Sequence, residues 1–270
     1  MSSSAHSSNP PNLGHVPGGE LPAADLRLVA PECRYEVEDG RVVYVPPADE
    51  PHGVKHAAVA AIVKAHARDG YEVAVDMLTR TSEMDDIAPD VSVFPLERHA
   101  DGGRQLEELA LEIVNTQRLN DAGRKASKLI GRGVRRVFAI DVTRQRVFEW
   151  STELGTWAIL GDAAEIVDRT LAAPLPVAAL VRAVLTDDAV ARALLVKENA
   201  VLQAALAARH AQGQVKGKAD ALLTVLSARG LSPTADQRAR ILSCESEAEL
   251  ERWLRVALRC QSMDELFDAR

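Results

Sequence analysis

The stretch LALEIVNTQRLNDAGRKASKLIGRGVRRVFAIDV, Leu109 to Val142, constrains the fold more than any other part of this chain. Its opening, LALEIV, is almost wholly apolar, the pattern of a short strand covered on both faces. DAGRKASKLIGRG, Asp121 to Gly133, reads as a helix that Asp121 caps and Gly131 or Gly133 ends. VRRVFAIDV is again a strand. Strand, helix and strand in so short a span predict an α/β core with a crossover connection.

The flanking segments extend that core. Tyr35 to Val37 and Val42 to Val45 flank Asp39-Gly40, a strong hairpin signal. His52 to Gly70 has helical spacing, with Val54, Ala57, Ala58, Ile62 and Val63 on one face. YEVAVDMLTR and IAPDVSVFP read as strands, the second entered after Pro89. QRVFEWS and GTWAIL predict a closing hairpin around Glu153 to Gly155.

After about Pro174 the strand signal gives way to helices rich in Ala, Leu, Arg and Glu. Ser246 with Glu249 has capping-box spacing, and Leu250, Trp253, Leu254 and Ala257 form one packing stripe. Gly213 and Gly217 are expected to interrupt any continuous coil. The first residues, rich in Ser, Pro and Gly, resemble neither a folded segment nor a signal peptide. The expected division is a disordered arm over 1–21, an α/β domain over 22–174 and a helical region over 175–270.

A net charge of -7 excludes a polycation built to coat DNA. The charge is uneven, however. From Arg118 to Arg146 the chain carries nine Lys or Arg against two Asp, so a locally basic surface is compatible with an acidic whole. The three cysteines, Cys33, Cys244 and Cys260, have no zinc spacing and an odd count, which points to a reduced, cytoplasmic setting. No apolar run reaches the roughly 20 residues that span a membrane.

Glu112 interrupts the apolar run, and a buried carboxylate costs several kcal/mol unless it is paired or metal-bound. Asp90 heads another short strand. Two carboxylates converging from neighbouring strands can hold a hard divalent cation such as Mg, which polarises a phosphate and acidifies water. Lys125 and Lys128 follow on the next helix, where a lysine orients water or neutralises growing charge. Plainer roles fit the same residues: Glu112 paired with an arginine, Asp90 capping a turn, Lys125 solvated on its helix. Spacing alone does not choose among these.

The order of pieces resembles the Uma-two family of restriction endonucleases, a branch of the PD-(D/E)XK nuclease superfamily. The resemblance runs through YEVEDGRVVYVPPADEPHG, APDVSVF, LEIVN and NDAGRKASKLIGRGVRRVFAIDVTRQRVFEW, over roughly residues 32 to 165. It implies a restriction-endonuclease-like core, a mixed β-sheet flanked by helices, to which this chain adds an all-helical C-terminal extension. By that resemblance Asp90 and Glu112 are the metal carboxylates and the backbone carbonyl of Ile113 is a further metal ligand. Val114 stands where the superfamily places its lysine. The family's alternative, Asp, three residues, Lys, is matched by Asp121 and Lys125. Family members often carry Ser-Pro-Ser-Thr after the second acid; here NTQRLN is different and one residue shorter. Asn115 and Gln117 are the candidates for contacts in that loop.

The leading expectation is therefore Mg-dependent hydrolysis of DNA, with Mn as a substitute and catalysis by Asp90, Glu112 and Lys125. Arg118, Arg124, Lys128, Arg132, Arg135 and Arg136 are the candidates for phosphate-backbone contacts, which bring salt dependence and little sequence selectivity. A homodimer through the sheet edge or the C-terminal helices goes with it. The altered loop keeps open a nucleic-acid-binding protein without chemistry, and the tail keeps open a partner-recruiting protein. A P-loop, a His-Glu-X-X-His motif and a Gly-X-Ser-X-Gly elbow are absent from the sequence.

Overall fold

The computed structural model describes residues 34–45, 47–48, 50–114 and 119–268. The expected arm over 1–21 lies outside them. The described residues form two compact units, divided between Lys197 and Glu198.

The first unit begins with a hairpin, β1 (Tyr35–Glu38) and β2 (Arg41–Tyr44). Asp39 and Gly40 both have positive φ, 50° and 76°, the paired left-handed conformation that matches strand twist in a two-residue turn. Helix α1 (Glu50–His66) follows. Its buried stripe is Lys55, Val59, Ile62, Val63 and His66, whereas Val54, expected on the inner face, is 65% exposed. The i, i+4, i+7, i+8, i+11 spacing from Lys55 gives a better apolar stripe than one started at Val54.

YEVAVDMLTR is two strands rather than one. β3 (Tyr71–Val75) ends at Asp76, whose φ of 52° turns the chain out of the sheet, and β4 (Thr79–Ser82) joins a different sheet. β5 (Asp85–Ile87) completes that sheet, in the order β2-β1-β5-β4. A bidentate pair from Arg80 to Asp86, at 2.6 and 2.7 Å, ties β4 to β5.

The main sheet takes β6 (Val91–Pro95), β7 (Leu109–Val114), β8 (Arg136–Asp141), β9 (Arg146–Ser151) and β10 (Thr156–Leu160), in the order β10-β9-β8-β7-β6-β3. All pairs are antiparallel except β7 with β8. Between those two runs helix α2 (Leu119–Arg132), giving the crossover expected from sequence. Asp121 sits inside the first turn of α2 rather than at its cap, where it still meets the positive end of the helix dipole. Gly133, with φ 117°, ends the helix, and Gly133 and Val134 return their N–H groups to Leu129 O.

Alternation along β7 gives the site its position. Leu109, Leu111 and Ile113 face the core built with Val59, Ile62 and Val63 of α1. Ala110 and Val114 face the other way, packing with Ala126, Leu129 and Ala122 of α2. All six residues of β7 are buried, so Glu112 is enclosed on the α2 side.

The short pair β11 (Glu165–Ile166) and β12 (Leu175–Pro176) leads into α3 (Val177–Val181) and α4 (Ala183–Val196). Leu175, Val177, Leu180 and Ala189 join the core beneath α1, so the first compact unit runs past the expected boundary at 174 to Lys197. Lys55 reaches the carbonyls of Leu180 and Val181, capping the C-terminal end of α3 from α1.

The second unit is wholly helical: α5 (Ala200–Ala228), α6 (Ala235–Leu242), α7 (Glu247–Ala257) and α8 (Met263–Asp268). Leu222, Leu226, Ile241, Leu250, Trp253 and Leu266 are its centre. Ser246 caps α7 as expected, accepting from Glu249 N at 3.2 Å. Gly213 and Gly217 do not interrupt α5, which is continuous through both; each costs about 1 kcal/mol relative to alanine, too little to break a helix of this length. No described helix is long and apolar enough to cross a membrane.

Candidate active site

Asp90 immediately precedes β6. Continuing the β6–β7 register one step beyond Val91↔Leu111 sets it opposite Glu112. Asp90 Oδ2 accepts the backbone N–H of Ile113 at 2.6 Å, which fixes the carboxylate against β7. Burial works against its charge, but His52 and the Ile113 N–H outweigh that and hold Asp90 below its ordinary range, ionised.

Glu112 behaves oppositely. Complete burial pushes its carboxyl well above the ordinary range, and Asp90, Glu36 and Asp76 push the same way against the opposing charge of Lys125. Glu112 Oε1 has no hydrogen-bond partner among the described residues. A fully buried oxygen in that state is expensive unless something else satisfies it.

Lys125 projects from α2 into the same group of charges. It pairs with Glu36 of β1, at 2.8 Å to each carboxylate oxygen. Burial would lower Lys125; Glu112 and Glu36 overcome it and leave the lysine above its ordinary range. Lys125 thus holds its proton and brings a positive charge to this group of carboxylates. Glu36 is itself 3% exposed and also accepts Ala88 N at 3.0 Å.

The residues suit a divalent cation. Asp90 supplies an ionised carboxylate, Glu112 supplies an oxygen lacking a partner, and the backbone of Ile113 runs beside both. Oxygen donors of this kind fit Mg or Mn. Beside them a cleft of about 490 Å³ lies between the β1–β2 hairpin and α2, lined by Glu36, Tyr44, Asp121, Arg124, Lys125 and Lys128 among others.

The basic candidates divide by position. Arg124 is 67% exposed at the cleft and pairs with Asp121 at 2.8 Å. Lys128 also lines the cleft and pairs with Asp85 and Asp39 at 2.5 and 3.1 Å. Arg132 Nε donates to Arg80 O at 3.1 Å. Arg135 and Arg136 stand apart, near the start of β8, where register pairs Arg136 with Leu109 and Ala139 with Glu112. Three residues of strand separate those levels, about 10 Å. Both arginines clamp Asp168, and Arg136 also pairs with Glu149. Asn115, Gln117 and Arg118 lie outside the described residues.

Four neighbours of the site were not among the expected residues: Glu36, His52, His56 and Asp76. His52 Nε2 is 3.7 Å from Asp90 Oδ1. His56 Nε2 contacts the Asp90 main-chain oxygen and lies 3.9 Å from Asp76 Oδ1. Arg34 pairs with the same oxygen of Asp76. The i, i+4 spacing of the two histidines on a helix was a readable signal, as was the acid at Glu36 in a strand with apolar neighbours.

The family described as "Putative restriction endonuclease", Uma2, matches residues 22–178, more than half of the chain. No curated protein matches. Among solved structures, one similar chain is described as a putative nuclease belonging to DUF820 from Anabaena variabilis. It is 16% identical, with a TM-score of 0.48, over 57% of this chain and 93% of its own.

Proposed function

The chain belongs to the Uma2 family, and from that premise we propose that it hydrolyses DNA phosphodiester bonds with the aid of Mg, or Mn in its place. The observation that carries this reading is the meeting of Asp90 and Glu112 across β6 and β7, with Lys125 enclosed in the same group of charges.

Asp90, Glu112 and the Ile113 carbonyl would hold the cation. When bound, it supplies charge neutralisation at the phosphate and acidifies a water. Lys125 keeps its proton and offsets negative charge that builds on the phosphate in the transition state. Glu36 holds the lysine in position. Arg124 and Lys128, which line the cleft, would meet the DNA backbone, and Arg132, Arg135 and Arg136 would act on it from farther away. Asn115, Gln117 and Arg118 complete the proposed contact set. Self-association through α5 belongs to the same reading, supported by Val201 and Leu206, 76% and 52% exposed on its first half. A reduced, cytoplasmic setting fits the free thiols of Cys244 and Cys260.

The test is cleavage of mixed DNA substrates with Mg or Mn against EDTA, in the wild type, Asp90→Ala and Glu112→Ala. Metal-dependent cutting that disappears in both folded variants supports the reading. Cutting retained at the wild-type rate in both would sink it.

A second reading, DNA binding without cleavage, is favoured by Val114 at the superfamily's lysine position and by the shortened loop after it. It expects salt-dependent DNA retention that is indifferent to Mg and survives Glu112→Ala.

A further inference from the structure

We propose that His52, His56 and Asp90 form a second cation site, on the α1 side of Asp90, which takes a nitrogen-seeking divalent ion of the Mn, Fe, Co or Zn class. The sharing of Asp90 between this ion and the one beside Glu112 rests on the catalytic reading above; the histidine site itself does not.

The geometry begins with the helix. His52 and His56 are four residues apart on α1, so both imidazoles project from one face, with ring centroids 5.9 Å apart. A donor atom from each of His52, His56 and Asp90 falls within 4.8 Å of the other two. Asp76 Oδ1, 3.9 Å from His56 Nε2, borders the same spot as a second carboxylate. The two imidazole side chains are 22% and 12% exposed, sheltered yet within reach of solvent.

Asp90 has an oxygen for each side. Its Oδ2 is held at the Ile113 N–H on β7, while Oδ1 faces His52 on α1. The carboxylate thus stands between two donor sets of different chemistry. Toward β7 the donors are oxygens, which suit Mg. Toward α1 they are two imidazole nitrogens with carboxylate oxygens. Imidazole is a poor ligand for Mg and a good one for later first-row ions, whose affinity for nitrogen rises across the series.

The experiment uses the full-length, untagged chain stripped with EDTA. Co(II) is titrated in excess Mg and followed by visible absorption, and Mn(II) is added separately for pulsed EPR. The expected results are Co(II) binding that Mg does not displace, 14N coupling from imidazole on bound Mn(II), and affinity about tenfold or more weaker in His52→Ala and in His56→Ala. Glu112→Gln should retain the Co(II) spectrum. The proposal is overturned if Mg displaces Co(II), if bound Mn(II) shows no 14N coupling, or if folded histidine variants bind as the wild type does. The 14N signal is read on the wild type, so a variant that fails to fold does not rescue the idea. Histidine-coordinated metal in a chain that cuts no DNA overturns the nuclease reading and leaves this site standing. Mg-dependent cutting without 14N coupling does the reverse.

Discussion

Lys125 on α2 is ion-paired at 2.8 Å to Glu36 on β1, a residue 89 positions earlier in the chain. The pair joins the crossover helix to the first strand of the smaller sheet. It also fixes the place from which Lys125 acts on the charges of Glu112 and Asp90.

Glu36→Gln tests that relationship. Glutamine keeps the shape and can still accept Ala88 N, but it no longer opposes Lys125 with a charge. If DNA is the substrate, cleavage should fall on the order of tenfold to a hundredfold as the lysine loses its anchor. Thermal stability should fall by about 2 kcal/mol, the scale of a charge-assisted hydrogen bond. Unchanged kinetics would detach Glu36 from the site.

Glu112 gives a prediction in pH. Burial, with Asp90, Glu36 and Asp76 against Lys125, raises its folded-state pKa well above the unfolded one. The folded chain therefore keeps a proton that the unfolded chain releases, and stability drains away as pH rises from the ordinary carboxyl range through the raised one. Glu112→Gln removes that loss. In EDTA, its thermal melts should vary less with pH than the wild type's and lie above them at the alkaline end. Equal slopes would show that Glu112 ionises freely in the fold.

Asp168 has the opposite sign. Burial opposes its charge, but Arg135, the Thr170 N–H and Arg136 outweigh it and hold the carboxyl far below its ordinary range. That stability is present above the unfolded carboxyl's range and is lost as pH falls toward the folded one. Asp168→Asn should cost about 2 kcal/mol near neutrality. This is below the usual cost of breaking a buried pair because Arg135 keeps a third of its side chain in water. The difference from wild type should shrink in acid, measured by urea unfolding at several pH values.

Gly40→Ala probes the turn that carries Glu36 into place. With φ of 76°, an L side chain is strained there whatever the space. The new Cβ would also meet Met84 Cε at 2.5 Å, though that methyl is the flexible end of its side chain. The loss should be about 1 kcal/mol, chiefly from backbone strain. A neutral or stabilising result in denaturant titration would contradict the left-handed turn.

The crossover was legible because three periodicities met within one short stretch: a buried run, an amphipathic helix and a second strand. The hairpin at Asp39-Gly40 was legible because few dipeptides tolerate two successive left-handed residues. What sequence reading missed depends on contacts distant along the chain. Strand propensity ran unbroken from Tyr71 to Arg80, and only the turn at Asp76 moved its second half to another sheet. Arg135 and Arg136 looked like part of a basic strip until Asp168 and Glu149 came alongside from later in the chain. Local charge says nothing of such partners. Glu112 was readable because an acid inside an apolar strand violates the local pattern, and Asp90 because it heads another short strand, whereas Glu36 was masked by the acidic turn that follows it.

Helix α5 is about 43 Å long by its rise per residue, yet none of its first fifteen residues, 200–214, is buried. Hydrogen bonds in that stretch have no packed side chains above them, so they open by local unwinding rather than with the whole unit. Their amide protons should trade with deuterated water far sooner than those around Leu222 and Leu226. Should the rate in 200–214 slow as the chain is concentrated, the lever-like half of α5 has found a second copy to lie against.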